Sequence, residues 1–261
     1  MSPELNWLAR ARDEYKGQQD VHIRVETNFG RANPSIKVLQ EKVVPVNNNP
    51  SILLVGIGGK GGDENPLVCS YSPFVISAYL EAKGVDYKMT LVDISDTIIS
   101  DIKTRNNLYL SSECMSEFLD AEENWKRYLD WTKQDERVLH EREEGLVFGY
   151  TDNLFPPEFY LKQGIHVAKV PLSFKTKLQT GDVVLIEDDI ALADLGNNGY
   201  DFVECTNVLY HLPKDGQMLA IANIANSVNE GGLVLINDVG ELAENPLFTE
   251  LGGWLNEHML E

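Results

Sequence analysis

Five short, mostly apolar runs set the tightest limit on what this chain can fold into. They are Ser51–Gly56, Lys88–Asp93, Val183–Glu187, Tyr200–Cys205 and Gly232–Asp238, each reached through a loop or a helical stretch. A strand with one wet face alternates apolar and polar residues, whereas a strand covered on both faces reads as a near-continuous apolar run. Strands of the second kind pair in parallel, and parallel pairing needs crossovers long enough to hold a helix. The expectation is an α/β fold, a Rossmann-like doubly wound sheet with helices on both faces.

The connecting segments differ in character. Residues 1–46 read as two short helices around a turn near Asn28–Pro34. Ile36, Leu39 and Val43 give Ser35–Val44 helical spacing, and Pro45 with the Asn47–Pro50 run ends it. Helical stretches are expected over Phe74–Lys83 and Gly216–Val228, the second stopped by Asn229-Glu-Gly-Gly232. Residues 95–145 look helical and polar throughout, anchored by Leu108, Leu119, Trp125, Tyr128, Leu129 and Trp131 as core residues. Residues 146–178 are turn-rich and β-leaning. Together they suggest a helical N-terminal segment (1–46) and a main domain (47–261) that carries a small inserted lobe at about 106–180.

Charge narrows the partners. The 261 residues hold 22 Lys and Arg against 41 Asp and Glu, a net charge of -19, with no basic run. Nucleic-acid affinity comes largely from neutralising phosphates, so DNA and RNA are not expected partners. No apolar run approaches the roughly 18 residues of a membrane span, and residues 1–20 lack the apolar stretch of a secretory signal. Three widely spaced cysteines (Cys69, Cys114, Cys205) form neither a disulfide framework nor a zinc spacing and fit buried free thiols. The five histidines form no metal-ligand pattern, and no metal site is expected. A cytoplasmic location is the expectation.

Candidate site residues gather where the apolar runs end. Gly56-Ile-Gly-Gly-Lys-Gly-Gly62 follows the first run, and such glycines let a ligand approach backbone with no Cβ in the way. Asp93 ends the second run, where an acid can accept hydrogen bonds from both ribose hydroxyls. From Gly62 to Asp93 is 31 positions, against roughly 20 in the dinucleotide fingerprint. That spacing disfavours a nicotinamide cofactor, and without Gly-Lys-Ser/Thr the loop is not a P-loop. Glu187-Asp-Asp-Ile190 ends the third run, where a carboxylate can meet an adenine amino group. Asp201-Phe-Val-Glu-Cys-Thr-Asn207 ends the fourth. In open α/β sheets ligands lie beyond the carboxyl ends of the strands, and all four pieces fall there. An adenosyl cofactor is the expectation.

These pieces resemble class I S-adenosylmethionine-dependent methyltransferases, and more narrowly the CheR family of chemotaxis-receptor glutamate methyltransferases. Gly62-Asp-Glu-Asn-Pro66 is similar to that family's Gly-Glu-Glu-Pro segment, and Leu91-Val-Asp-Ile-Ser95 matches its Asp-Ile after a long gap. Tyr200-Asp-Phe-Val-Glu-Cys-Thr-Asn-Val-Leu-Tyr210 resembles its Phe-Asp-x-Ile-x-Cys-Arg-Asn-Val-x-x-Tyr. Thr27-Asn-Phe-Gly-Arg31 resembles a shortened form of the segment that precedes its sheet. The inserted lobe falls where the family carries a β-subdomain that docks receptors. The resemblance implies S-adenosyl-L-methionine as cofactor and S-adenosyl-L-homocysteine as product. It implies a cofactor site of Gly56, Gly58, Gly62, Glu64, Asp93, Ile94, Asp189, Ile190, Asn207 and Val208. Glu64 would hold the amino group and Asp93 the ribose, with Asp189 and Asn207 flanking the adenosine. Arg31 would sit near the departing methyl and Tyr210 on the acceptor side. Thr206 replaces the family's Arg, Lys60 interrupts the glycine loop, and Tyr210-His-Leu-Pro213 is nearer to small-molecule methyltransferases.

The acceptor therefore stays open at this level. A protein carboxylate is ionised at pH 7 and needs no general base. A small-molecule hydroxyl or amine can need one, for which His211 beside Tyr210 is the nearest candidate, and the insert would then form a lid. A third reading is a non-catalytic module that keeps the cofactor as a regulatory ligand.

Overall fold

The computed structural model describes residues 32–57, 72–104, 109–111, 121–134, 137–139, 165–195, 199–206 and 208–236. Its centre is a five-stranded, wholly parallel sheet. In chain order the elements are helix α1 (Asn33–Val38, continued by a π-helical turn Leu39–Val43), β1 (Ser51–Val55), α2 (Ser72–Ala82), β2 (Lys88–Asp93) and α3 (Asp96–Thr104). Then come β3 (Tyr109–Ser111), α4 (Ala121–Thr132), β4 (Arg137–Leu139), β5 (Ile165–Lys169) and α5 (Leu172–Thr180). β6 (Val183–Glu187), β7 (Tyr200–Cys205), a 3-10 turn (Leu209–His211), α6 (Lys214–Ser227) and β8 (Val228–Ile236) follow. The main sheet has the order β6-β2-β1-β7-β8, so the chain winds outward from β1 in one direction and then in the other from β7. The expected doubly wound α/β fold is present.

Alternation along the strands feeds two cores. Ile52, Leu54, Met89, Leu91, Val183, Leu185 and Phe202 face the layer built by α1 to α5. Leu53, Val55, Val92, Val203, Cys205, Val234 and Ile236 face α6 with its Ala220, Ile221 and Ile224. Both faces are covered, which is why these strands lack polar alternation. Cys205 is buried and takes part in no disulfide.

α4 shows how a polar sequence still makes a core helix. Trp125, Tyr128, Leu129 and Thr132 recur at three- and four-residue spacing, and Trp125 and Tyr128 are wholly buried. Tyr79 of α2 meets Trp131 edge-on at 5.6 Å, and Phe74 meets Phe174 of α5 at 4.9 Å. Burying one such aromatic stabilises by about 4–6 kcal/mol as an upper figure, from its 150–250 Å² of area. These residues were expected as core, and they are; Leu108 and Leu119 lie outside the described residues.

Three expectations need correction. Residues 95–145 are not helical throughout, because β3 and β4 interrupt them. These two strands flank β5 in an antiparallel sheet of order β3-β5-β4. Three-residue strands are too short to show a two-residue period, and their pairing partner lies far along the chain. The β-leaning stretch to 178 contains a helix, α5, that follows Pro171 and ends at Gly181 in the left-handed region. Its apolar face rests on little more than Phe174 and Leu178, a weak signal in sequence. Finally, Asn229–Gly232 is no helix cap. α6 gives way directly to β8 at Val228, and Gly231 (φ 80°) sits where the β7–β8 register shifts. The glycines serve a bulge instead, and the strand starts four residues early.

Candidate functional site

The carboxyl ends of β1, β2, β6 and β7 lie side by side, around the point between β1 and β7 where strand order reverses. Gly56 leaves β1 with φ 72°, and its N–H donates to Val92 O at 2.9 Å. A Cβ built on it would stand 2.2 Å from a Val208 methyl. Glycine is therefore required twice over, by its backbone angle and by the approach of the segment leaving β7. Ile57 is buried behind it.

Asp93 ends β2 and is buried. Its Oδ1 accepts the Ser95 N–H at 2.9 Å, which shapes the turn into α3, and its carbonyl accepts the Asp188 N–H at 3.0 Å. The exits of β2 and β6 are thus tied together, with Ile94 half-buried between. Asp93 is also the register partner of Glu187. Asp93, Glu187, Asp188 and Asp189 make this rim strongly negative, a poor place for a pyrophosphate and a good one for hydroxyl or amino donors.

Beyond β6, Asp188 Oδ1 accepts the Asp189 N–H at 2.8 Å, and Asp189 Oδ1 accepts the Ala191 N–H at 2.8 Å. The Asp189 carbonyl accepts from Leu192 and Ala193 at 2.8 and 2.7 Å. Asp189 and Ile190 are both buried in this compact turn. Beyond β7, half-buried Val208 accepts the His211 N–H at 3.0 Å, and this bond closes the 3-10 turn that carries Tyr210. His211 itself is half-buried.

The structure thus brings Gly56, Asp93, Ile94, Asp189, Ile190 and Val208 to one rim. Tyr210 falls on the same rim by its backbone, its side chain lying outside the described residues. Arg31, Gly58, Gly62, Glu64 and Asn207 lie outside them as well.

Two polar residues here were missed by the sequence reading. Glu204, one residue before the end of β7, is buried and accepts hydrogen bonds from Ser35 of α1 and from Thr206 at 3.2 Å. An acid set between Val203 and Cys205 near the carboxyl end of the strand was the available signal. Asn223 of α6 donates to the loop after β6. An amide in mid-helix, where propensity disfavours it, was the signal there. Among the described residues no group of His, Cys, Asp and Glu could hold a metal ion, and no helix is long and apolar enough to cross a membrane.

No protein-family profile matches the chain, and no curated protein matches it. Similar solved structures include the N-methyltransferase NodS from Bradyrhizobium japonicum WM9 in complex with S-adenosyl-L-homocysteine. It is 12% identical, with a TM-score of 0.37 over 87% of this chain and 71% of that one. An O-methyltransferase family protein from Burkholderia thailandensis is 13% identical, with a TM-score of 0.35 over 93% of this chain and 46% of that one. Likeness at this level assigns neither activity nor acceptor, and the description of the fold stands on the strand order itself.

Proposed function

We propose that this chain is an S-adenosylmethionine-dependent methyltransferase that binds its cofactor across the exits of β1, β2, β6 and β7. The carrying observation is the juxtaposition of Gly56, pressed against Val208 at the β1–β7 switch point, with Asp93 at the neighbouring exit of β2. A bare backbone beside a buried acid suits a nucleoside whose ribose hydroxyls donate to the acid. Asp189 and Ile190 would flank the base, with Asn207 and Val208 on the other side. Gly58, Gly62 and Glu64 would hold the amino-acid end. Methyl transfer is an in-line displacement at a sulfonium, so holding the acceptor in line with the methyl supplies much of the rate. Arg31 would orient an anionic acceptor through its planar donor fork, opposite Tyr210.

For the acceptor we favour a protein carboxylate. The support is the antiparallel sheet β3-β5-β4 within the segment between β2 and β6, where the CheR family that the motifs resemble carries its docking subdomain. A small-molecule acceptor is the second reading, favoured by His211, half-buried in the turn beside Tyr210 as a candidate base. One experiment tests both. The protein is incubated with methyl-labelled S-adenosylmethionine and a cell lysate, and the label is followed after mild base. A protein methyl ester releases volatile methanol, whereas label on a small molecule that survives base supports the second reading. Undetectable cofactor binding by calorimetry refutes the activity itself.

A further inference from the structure

Asn223 stands in the middle of α6, half-buried, where an amide side chain weakens a helix. Its Nδ2 donates to two main-chain carbonyls of the loop beyond β6, Ile190 O and Ala193 O, each at 2.8 Å. With carbonyls at both positions the amide has one possible orientation, since its oxygen would meet an acceptor either way. The same loop is closed from within. Of the five amides from Asp189 to Ala193, four donate inside the turn, to Asp188 Oδ1, Asp189 Oδ1 and twice to the Asp189 carbonyl. The amide of Ile190 donates to no group among the described residues. Ile190 is nonetheless pinned, by its buried side chain in the core that includes Ala220, Ile221 and Ile224 and by its carbonyl on Asn223. A fixed residue with one uncommitted N–H at the ligand rim is a donor held ready for an acceptor.

We infer that Asn223 is a positioning residue for base recognition: it clamps the Asp188–Ala193 loop so that the Ile190 amide donates to the ring nitrogen N1 of adenine. This rests on the cofactor reading above and deepens it by naming the residue that holds the base-recognising loop in place. Adenine N1 accepts a hydrogen bond. Hypoxanthine carries a proton on N1, so the same amide meets a donor instead and its hydrogen bond is lost. Removing the Asn223 clamp loosens the loop, and discrimination between the two bases falls with it.

The test measures S-adenosylhomocysteine and S-inosylhomocysteine by calorimetry on the full chain. The wild type is expected to prefer the adenine compound at least tenfold. In Asn223→Asp, which turns an acceptor toward both carbonyls, and in Asn223→Leu, which removes the donor at similar volume, the preference should shrink at least fivefold. Thermal unfolding of each variant establishes that it is folded. On the wild type alone, hydrogen exchange at 188–193 should slow with S-adenosylhomocysteine and much less with the inosine compound, a readout that no failure of a variant to fold can remove. A folded variant that keeps the wild-type preference overturns the role of Asn223 while leaving the cofactor site intact. Exchange at 188–193 that is indifferent to bound S-adenosylhomocysteine overturns base recognition by this loop. A wild type that binds neither compound overturns the cofactor reading and this inference with it.

Discussion

The aspartates at the two ends of the main sheet make different kinds of hydrogen bond. At the amino end, Asp201 of β7 accepts from the Asn47 side chain and the Ser51 amide at 2.8 Å each and from the Asn229 side chain at 3.0 Å. It joins β1 and the segment just before it to β8, which lies far along the chain. At the carboxyl end, Asp93, Asp188 and Asp189 accept from amides one or two residues away, on Ser95, Asp189 and Ala191. The first kind of bond staples elements together; the second kind shapes a loop. Locally shaped loops can present donors and acceptors to a ligand, whereas Asp201, like Glu204 with its bond from Ser35, holds distant elements together.

The largest expected effect lies on the stapling side. Asp201→Ala strands three donors and should destabilise the fold by about 2–4 kcal/mol, given that single hydrogen bonds to charged groups contribute roughly 1.5–3 and add imperfectly. Denaturant melts measure the loss, and S-adenosylhomocysteine affinity of the folded fraction should not change. A loss of affinity comparable to the loss of stability breaks the distinction between the two ends.

The mirror case is Asp93→Ala. It should cost about 1.5–3 kcal/mol of cofactor affinity, roughly ten- to 150-fold, with less than half of that appearing as lost stability. Unchanged affinity by calorimetry in a folded variant removes Asp93 from the site. Arg31→Ala sharpens the comparison on the turnover axis. Cofactor affinity should hold while turnover falls roughly ten- to a hundredfold, about 1.4–2.7 kcal/mol of barrier. Wild-type turnover removes Arg31 from the chemistry, and lost affinity moves it to the cofactor.

Legibility in the sequence followed the same division. The central strands could be read because burial on both faces leaves a continuous apolar signature; β2, β6 and β7 begin and end where the runs do. Asp93 could be read because the strand ended on it. β3 and β4 could not, since a three-residue strand exists only through its distant partner β5. Nor could Asn223 or Glu204, whose partners on the Ile190 loop and on Ser35 are brought near only by the packed helices. Asp201 was read within the site motif, yet it occupies the second position of β7 and works at the opposite end of the sheet. A motif gives the strand but not which end of it a residue faces.

The smallest effect comes from an ion pair on that opposite end, just before β2. Lys177 of α5 holds the Asp86 carboxylate and lies 4.5 Å from the centroid of the Tyr87 ring. The hydrogen bond from Lys177, with help from the Tyr87 amide and the charge of Lys177 itself, lowers the Asp86 pKa below its ordinary value. A carboxylate whose folded pKa is depressed contributes stability above its unfolded pKa, near 3.9, and loses it as pH falls through the folded value. Stability should therefore be flat in this respect from neutral pH to about 5, and the contribution should decline as pH falls further and be lost only below the folded pKa. The Asp86 side chain is 72% exposed, so solvent screening keeps the pair within about 0.2–1 kcal/mol. Asp86→Asn should remove that amount at pH 7 and progressively less as pH falls below about 4, and 1 M salt should shrink the difference at pH 7. Lys177→Met should cost more than Asp86→Asn, because Lys177 also donates to the Tyr87 carbonyl at 3.3 Å. Equal costs would mean that the lysine acts through the exposed pair alone. A deficit in Asp86→Asn that does not shrink at all as pH falls below about 4 would mean that the carboxylate contributes by packing instead of charge.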